Sequence, residues 1–171
     1  NPRSVAAYAR RALGMNLARA LRIARTEMLR SYREATRRNY LNNKDVVKGW
    51  IWHSACDKRT CAACWAMHGT EHKLNERMAE HVNGRCAMIP ITKTWAELGY
   101  TGISEPNIPP EDGEQIFKRQ PEAIQRQVLG EGHYQLWKDG KASLRDFVGI
   151  RHSAEWGDSV YIRPLSDFAE A

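Results

Sequence analysis

Apolar side chains recur every three or four residues through the first forty positions, which predicts a long amphipathic helix. The stripe consists of Leu13, Leu17, Leu21, Ala24, Met28, Tyr32 and Ala35. Within residues 1–40 only Gly14 interrupts this pattern, and no proline follows Pro2. We therefore predict a helix as the main element of residues 1–45.

The pattern changes from helical to strand-like after a turn-rich break at residues 39–45. Residues 46–54 combine β-branched and aromatic side chains without a helical period, which predicts a strand. Residues 86–92 predict a second apolar strand, and Pro90 favours a sheet edge or a strand end. Between the two strands we expect a short hairpin arm at 69–74 and one helical turn at 75–80.

The C-terminal part begins with a loop and continues in short helices. Residues 99–113 contain three prolines and three glycines, the composition of a loop or an internal linker. Pro121 fits a first helical position and Gly130 fits a helix stop, while Ser143 fits an N-cap. The predicted helices are residues 115–118, 122–129, 133–137 and 144–148, and a last strand is predicted at 159–163.

These elements predict an α+β fold with a long N-terminal helix, a small mostly antiparallel sheet with a Cys/His zinc site, and short C-terminal helices. We divide the chain into a basic N-terminal helix at 1–45 and an α+β domain containing the Cys/His site at 46–171, packed as one compact unit. With 171 residues and 42% hydrophobic side chains, the chain can bury a core. Because it opens at Asn1-Pro2 without an initiator Met, we expect it to be excised from a longer protein.

The distribution of apolar residues and cysteines indicates the compartment. No apolar run approaches the ~20 residues of a membrane-spanning helix, and no secretory signal is visible in the sequence. We therefore expect no membrane partner. The four cysteines fall within 31 residues, unlike a scattered disulfide framework, which favours a reducing compartment.

Positive charge is concentrated at the N-terminus. Residues 1–40 carry ten arginines against Glu27 and Glu34, which leaves 16 of the 26 basic and 18 of the 20 acidic side chains for the other 131 residues. The planar fork of arginine binds carboxylates and phosphates, so we predict an acidic protein partner or nucleic acid. The alternative is the solvated face of an amphipathic helix. The predicted contact residues, which fall largely off the apolar stripe, are Arg11, Arg19, Arg22, Arg30 and Arg33.

The chemistry of the chain is concentrated between residues 52 and 86, which contain all four cysteines and four of the six histidines. A Cys-x-x-Cys turn at Cys61 and Cys64 aims two thiolates at one point. His81 and Cys86 form a second pair that can complete a tetrahedral Cys3His shell. We therefore predict a structural zinc ion held by Cys61, Cys64, His81 and Cys86.

The same cysteines and histidines allow other ligand sets and other chemistry. Cys56 is an extra thiol that could replace His81 or Cys86 as fourth ligand, while His68 and His72 fit surface or turn positions better. Inert buried thiols do not suit the polar neighbours of the pair. A redox dithiol should open a helix after a central strand within a βαβ unit, and only α-then-β order is predicted here. A catalytic zinc needs an open position and a placed general base, and no His-Glu-x-x-His pattern supplies them.

A series of short strings occurs in a specific order along the chain. The first group is Ile23-Ala24-Arg25-Thr26-Glu27, Trp52, Asp57-x-Arg59-Thr60-Cys61-x-x-Cys64, Gly69, His81 and Cys86. The later group is Gln120-Pro121-Glu122-Ala123-Ile124-Gln125, Leu129-Gly130 and Leu136-Trp137-Lys138-x-Gly140. In this order they resemble the phage Mu F-like minor head protein family, from about residue 13 to about residue 150.

The second pair departs from the family's pattern. Relatives often have His-Pro-Asn-Cys-Arg-Cys, where this chain has Val82 in place of the proline and Gly84 in place of the middle cysteine. This difference argues against a role for two cysteines in this segment and leaves a four-ligand set intact.

The resemblance implies a minor capsid protein of a tailed phage or prophage, acting in head morphogenesis at the portal vertex. It implies the portal protein as a partner, with capsid or scaffold protein and phage DNA as further partners. It places the protein in the virion, in the capsid interior or at the portal vertex, and in the bacterial host cytoplasm during assembly. Some relatives also carry a C-terminal toxin or enzyme domain.

Two other classes of function fit parts of the sequence. The arginine-rich helix beside a zinc site is compatible with a zinc-stabilised nucleic-acid-binding module, for which duplex DNA binding should weaken steeply with salt. An enzyme related to ADP-ribosyltransferases or nucleases is the other alternative, but the sequence contains no readable acid/base constellation. We therefore expect a structural protein without catalytic residues.

Overall fold

The fold begins with two helices that pack against each other. The computed structural model describes residues 1–106 and 109–169. Helix α1 spans Pro2–Leu13 and helix α2 spans Leu17–Asn42, so the predicted long N-terminal helix is confirmed in α2. The structure adds to this prediction that the first helix folds back on the second, and the two form a helical hairpin.

The break between the two helices lies at Gly14. Its φ of 61° is in the left-handed region, which glycine adopts at little cost and which ends α1. The Asn16 side chain then accepts a hydrogen bond from the Arg19 N–H at 2.9 Å and begins α2. The single glycine that interrupts the apolar pattern is therefore the turn of the hairpin.

The hairpin is held together by small side chains. Its buried cluster consists of Ala6, Ala20 and Ala24, with Ala9, Met15 and Leu21 partly buried around it. The predicted apolar stripe is wrong for its larger members, because Leu13 is 68%, Leu17 48% and Tyr32 65% exposed. Alanines let the two helices approach closely, and the larger apolar side chains stay outside.

A three-stranded antiparallel sheet follows the helical hairpin in the chain. Strand β1 spans Val47–His53, β2 spans Glu71–Lys73 and β3 spans Ala87–Thr92, in the order β2-β1-β3. The edge position predicted from Pro90 is confirmed, because β3 pairs only with β1 within the described residues. The helical turn predicted at 75–80 is wrong, since these residues form a turn and an irregular segment.

A short helix, α3 at Ala62–Met67, follows β1 and separates two hydrophobic cores. Ala63 and Cys64 of α3 face the core that contains the sheet, and Ala62 and Trp65 face the other. The sheet-side core also contains Trp50, Trp52, Cys86, Met88 and Val160. The second core also contains Ala66, Phe117, Leu129, Tyr134, Ala142, Leu144 and Phe147.

The C-terminal part consists of two helices and a second small sheet. The elements are α4 at Gly113–Lys118, α5 at Glu122–Lys138 with a kink at Gly130, β4 at Val148–Arg151, β5 at Ser159–Ile162, and a 3-10 turn at Leu165–Phe168. Strands β4 and β5 pair antiparallel. The helix predicted at 144–148 is wrong, because a turn leads directly into β4 there.

Helix α2 attaches to the rest of the molecule through one polar face. Thr26, Arg33 and Tyr40 are spaced by seven residues, close to two helical turns, and therefore lie on one side of the helix. The Thr26 hydroxyl accepts from the Asn83 N–H at 3.0 Å, and the Tyr40 hydroxyl donates to the Met88 carbonyl at 3.0 Å. These bonds fix α2 along β3 and along the segment that precedes it.

Candidate metal centre

The turn that leads into α3 is braced by Asp57. Its carboxylate accepts from the Arg59 N–H at 3.0 Å and from the Thr60 hydroxyl at 3.0 Å, and the Thr60 hydroxyl accepts from the Asp57 N–H at 3.1 Å. This reciprocal turn ends at Cys61, the N-cap of α3, and Cys64 lies in the first turn of the helix. Because residues three apart share a helix face, both thiols point to the same side.

His81 reaches the two thiols from a second segment, residues 80–86, which we call the ligand loop. Its Nε2 atom lies 3.2 Å from the Cys61 Sγ and 3.2 Å from the Cys64 Sγ. The Nδ1 atom lies 2.9 Å from the Val82 carbonyl, which can only accept, so Nδ1 carries a proton and Nε2 faces the sulfurs. The ring is thus oriented to present one nitrogen as a ligand atom.

Three of the four predicted ligand atoms therefore gather at one point. The Sγ atoms of Cys61 and Cys64 and a ring nitrogen of His81 all lie within 4.8 Å of one another. Cys86 belongs to a second group with Cys64 and Glu80, and its Sγ contacts the Ser54 hydroxyl at 3.3 Å. The structure thus places Cys86 beside this centre and connects it to the other three through Cys64.

Cys56 and the remaining nearby histidines lie outside these groups. Cys56 packs against the second core with a φ of 50°, and burial raises the pKa of its thiol to about 11. His68, predicted as a surface or turn residue, lies in the turn after α3 but is buried, and its Nδ1 accepts from the Ser54 N–H at 3.0 Å. His72 stacks on Trp50 with ring centroids 4.2 Å apart.

Glu80 is a residue of the site that the sequence pattern did not identify. Only 3% of its side chain is exposed, and its Oε1 lies 3.6 Å from the Cys64 Sγ and 3.4 Å from the His81 Nε2. Its Oε2 accepts from the Cys86 N–H at 3.1 Å. A glutamate next to a candidate histidine is a weak signal by itself, because nothing in the spacing shows whether its side chain points inward.

Arg33 is the second residue whose role the sequence did not reveal. We predicted it to bind a partner, and the structure corrects this, because Arg33 is buried against the ligand loop. Its Nε donates to the Cys86 carbonyl at 2.9 Å, and its Nη2 donates to the Gly84 carbonyl at 3.0 Å and to Glu80 at 3.4 Å. Arg33 therefore joins α2 to the metal centre.

The other four predicted contact arginines lie outside this centre. Arg11, Arg19 and Arg22 are exposed on the hairpin. Arg30 is about half exposed and pairs with Glu27 at 3.2 Å on the same helix. The structure thus separates the predicted set into three exposed arginines, one surface ion pair and one buried structural residue.

The two parts of the site are also linked by charge at the surface. Arg85 of the ligand loop contacts the Asp57 carboxylate at 2.7 and 3.1 Å, a bidentate pair. This guanidinium holds the pKa of the Asp57 carboxyl well below its usual range, with further hydrogen bonds from Thr60 and Arg59. The pair ties the ligand loop to the turn that carries Cys61.

The electrostatics of the cluster favour one thiolate in the absence of a metal. Hydrogen bonding from Cys64, followed by that from His81, lowers the pKa of the Cys61 thiol. The same contact with Cys61 raises the pKa of the Cys64 thiol, and the Cys61 contact raises the pKa of His81 to about 9. A metal held by Cys64 and His81 would displace protons from both side chains, which would make its affinity dependent on pH.

The donor set fits zinc. A tetrahedral zinc with bonds of about 2.0–2.3 Å holds its ligand atoms about 3.3–3.8 Å apart. The His81 Nε2 lies 3.2 Å from each of the two sulfurs, and the Glu80 Oε1 lies 3.6 Å from the Cys64 Sγ and 3.4 Å from the His81 Nε2, all close to these separations. Thiolate and imidazole donors also favour zinc over magnesium or calcium. Glu80 and His81 line a cleft of about 750 Å³ beside α2, which gives an ion a path from solvent.

The order of elements expected around the Cys-x-x-Cys pair is wrong, and it was one of the reasons against a redox dithiol. Cys61 and Cys64 do open a helix, α3, directly after the central strand β1, although the sequence indicated only α-then-β order. The following strands run antiparallel to β1, so the βαβ unit is absent among the described residues. The His81 ring nitrogen, which faces both sulfurs, is the feature that favours a metal.

The fold and the site define an α+β module in which a helical hairpin is joined to a Cys/His cluster that could hold a metal ion. The chain belongs to the family described as Phage Mu protein F like protein, which matches residues 3–89, more than half of the sequence. No curated protein and no solved structure matches the chain. The matched part contains nearly all of the hairpin, strands β1 and β2, the first half of β3 and all four cysteines, and it ends before the later strings at 120–140.

Membership gives the general function of the chain. The family is one of phage head morphogenesis and of structural head proteins, which is not a known enzyme family. It implies association with the virion and interaction with other head components. Among the described residues, no helix is both long and apolar enough to cross a membrane.

Proposed function

We propose that this protein acts at the portal vertex during head morphogenesis and binds its partner through the helical hairpin. The observation that carries the proposal is a group of arginines on the two helices of the hairpin. Within residues 1–106 and 109–169, no carboxylate lies within 4.0 Å of their side chains. The six residues, which we call the free arginines, are Arg3, Arg10, Arg11, Arg19, Arg22 and Arg25.

Apolar side chains interleaved with these charges support a protein partner. Tyr8 is 75% exposed, and Leu13 and Leu17 at the hairpin turn are also largely exposed. Aromatic side chains and arginine are enriched in protein interfaces, where their apolar parts are buried and their charges are paired. The hairpin therefore suits an acidic protein surface with apolar patches, on the portal protein or on capsid or scaffold protein.

Phage DNA is the second candidate for the same surface. Guanidinium groups without protein partners bind phosphates, and such binding weakens steeply as salt rises. The free arginines could contact packaged DNA without reading its sequence, because the hairpin shows no row of aromatic platforms for bases. The exposed leucines favour the protein partner, since they gain nothing from a phosphate backbone.

In this proposal the metal has a structural role. A zinc ion held by Cys61, Cys64 and His81 ties the ligand loop to α3. The same loop carries the backbone carbonyls that receive Arg33 of α2. The ion would thereby give the hairpin a rigid base, and a rigid element loses less conformational entropy on binding.

The test is a pull-down of the portal protein by a charge-reversed variant, Arg11→Glu with Arg19→Glu and Arg22→Glu. We expect retention to fall roughly tenfold or more at about 50 mM salt, because exposed charges act over about 10 Å there or further. The matched control is Lys44→Glu with Lys138→Glu and Lys141→Glu, which changes the net charge equally at exposed positions outside the hairpin. Circular dichroism and metal content confirm that both variants fold.

Each result has a defined meaning. Equal retention of parent, variant and control would show that the free arginines are only a solvated face. Loss of duplex DNA binding by the hairpin variant, with portal retention unchanged, would favour the nucleic-acid-binding module instead. A mobility-shift titration at about 50 and about 200 mM salt supplies this second arm.

A further inference from the structure

We propose that the fourth ligand of the metal is the carboxylate of Glu80, and that Cys86 is a neighbour of the site and not a ligand. This inference rests on the proposed zinc site of Cys61, Cys64 and His81. It assigns Glu80 a role that the Cys/His spacing does not predict, and it moves Cys86 from ligand to neighbour.

The position of the Glu80 carboxylate is the first argument. Its Oε1 lies 3.6 Å from the Cys64 Sγ and 3.4 Å from the His81 Nε2. In a zinc tetrahedron a sulfur and an oxygen ligand lie about 3.6 Å apart, and a nitrogen and an oxygen ligand about 3.3 Å apart. Glu80 therefore already stands at the separation that a shared ion requires from two of its ligands.

The hydrogen bonds of Ser54 are the second argument. Its hydroxyl lies 2.6 Å from the Cys64 carbonyl, which can only accept, so the single hydroxyl proton points there. In the contact of 3.3 Å between the Ser54 Oγ and the Cys86 Sγ, this leaves the hydroxyl oxygen as acceptor and a Cys86 S–H as donor. A Cys86 thiolate would instead face an oxygen lone pair in a buried site, at a cost in free energy.

Charge balance in the buried cluster is the third argument. Zinc with two thiolates and the Glu80 carboxylate has one net negative charge, which the buried Arg33 guanidinium neutralises. A third thiolate from Cys86 would leave one negative charge unpaired, because Glu80 and Arg33 already compensate each other. Uncompensated charge is costly in a site where the Arg33 and Glu80 side chains are only 10% and 3% exposed.

The surrounding residues orient Glu80 for this role. Arg33 and the Cys86 N–H both bind Oε2, whereas Oε1 accepts from the His81 N–H at 3.2 Å and faces the Cys64 sulfur and the His81 ring nitrogen. Gly84 makes room for the carboxylate, because a Cβ at that position would lie 2.1 Å from the Glu80 Cδ. Arg33 and Gly84 are thus positioning residues, and only Glu80 would touch the ion.

Zinc-edge X-ray absorption of the purified parent protein tests the ligand count without any substitution. We expect two sulfur ligands at about 2.3 Å and two nitrogen or oxygen ligands at about 2.0–2.2 Å. Three sulfurs and one nitrogen would overturn the inference and leave the zinc site intact. A parent that binds no zinc would contradict the proposed zinc site itself, together with the Glu80 assignment.

Cobalt titrations of variants provide the second readout, because the thiolate-to-cobalt absorption grows with the number of thiolate ligands. Cys86→Ser should keep the absorption of the parent, whereas Cys64→Ser should lose about half of it. Glu80→Gln should weaken cobalt binding by more than about 100-fold, beyond the usual cost of losing an outer-sphere partner. Glu76→Gln, which removes an exposed carboxylate nearby, is the matched control and should bind like the parent.

The variants keep the test decisive if Glu80→Gln fails to fold. In that case Cys86→Ser alone decides, since the alternative predicts that its absorption falls by about a third and that its affinity drops. Unchanged absorption in Cys86→Ser supports Glu80 as the ligand, and a loss of one third overturns it.

Discussion

The two parts of helix α2 have opposite relations to the rest of the protein. The first part, residues 17–25, packs mainly alanines against α1 and exposes arginines, such as Arg19 and Arg22, that have no carboxylate within 4.0 Å among the described residues. The second part, from Thr26 to Asn42, binds the ligand loop and β3 through Thr26, Arg33 and Tyr40. One continuous helix thus combines an outward-facing surface with an inward-facing anchor.

This comparison shows that position, and not residue type, decides what an arginine does. Arg30 and Arg33 are three residues apart, yet Arg30 pairs with Glu27 at the surface while Arg33 is buried beside Glu80. The carbonyls of Gly84 and Cys86 receive the Arg33 guanidinium because the ligand loop passes under that face of α2. The candidate metal centre and α2 are consequently joined by direct hydrogen bonds.

The largest effect should come from removing a ligand at the anchored end. Cys64→Ser should lose roughly 5 kcal/mol or more of unfolding free energy in the presence of zinc, because metal binding is coupled to folding. A chelator should then destabilise the parent and leave this variant unchanged. Denaturant unfolding with and without chelator is the measurement. The control Cys56→Ser should stay within about 1 kcal/mol of the parent, and a larger loss there would mean that the ligand assignment is wrong.

Substitution of the two neighbouring arginines should sharpen the contrast within α2. Arg33→Met should lose about 3–5 kcal/mol, because it leaves the Glu80 carboxylate buried without its partner. Arg30→Met removes an exposed pair and should lose no more than about 1 kcal/mol. Chemical denaturation of both variants at saturating zinc is the measurement. Equal losses would contradict the anchoring role of Arg33.

Two glycine substitutions should cause the next largest losses of unfolding free energy. Gly84→Ala forces the Glu80 side chain out of its place and should lose about 1–3 kcal/mol, with weaker zinc binding. Gly14→Ala meets no atom within 4 Å and strains only the left-handed backbone, which costs about 1 kcal/mol. Zinc affinity separates the two, since the hairpin variant should bind zinc like the parent. Unchanged zinc binding in Gly84→Ala would contradict the role of Glu80.

The smallest effect concerns Glu34, where α2 meets Arg77 at 3.7 Å. The side-chain bond from Arg37, aided by Arg38, lowers the pKa of Glu34 from 4.5 to about 2. A depressed folded-state pKa stabilises the protein above the unfolded value, and this contribution is lost as pH falls from 4.5 to about 2. With 28% of the side chain exposed, we expect no more than about 1 kcal/mol after solvent screening.

Metal-free protein is the proper material for this comparison, since zinc release in acid would otherwise dominate. The unfolding free energy of the parent should exceed that of Glu34→Gln near neutral pH, and the difference should shrink as the pH falls towards 2. A difference that is constant with pH would show that the ion pairs of Glu34 contribute nothing.

The sequence predicted the parts of the fold that depend on local pattern. Strands β1 and β3 were predicted because β-branched and aromatic runs have no helical period, and α2 because its apolar period is long. The α1–α2 turn was missed because a helical period continues on both sides of Gly14. Strand β4 was missed because Val148–Arg151 is too short to show alternation, and its pairing with β5 is set by tertiary contacts. The division of the chain at residue 45 stays a prediction.

The site was predicted in part, because sequence spacing identifies some of its residues and tertiary contacts identify the others. Residue type and spacing identify Cys61, Cys64 and His81 as candidate ligands. Glu80 and Arg33 do not, because a buried ion pair looks like two ordinary surface charges until the chain is folded. The spacing of Thr26, Arg33 and Tyr40 by seven residues does indicate a common helix face. These side chains are polar, however, so an analysis of apolar periodicity does not detect them.

The central claim is that a metal ion joins the ligand loop, which binds Arg33 of α2, to Cys61 and Cys64 at the start of α3. Elemental analysis of protein purified without added metal, combined with titration of free thiols, tests it most directly. We predict about one zinc per chain and no disulfide, with the thiols of Cys61 and Cys64 protected until a chelator is added. Protein without metal that contains a Cys61–Cys86 or Cys64–Cys86 disulfide would contradict the claim.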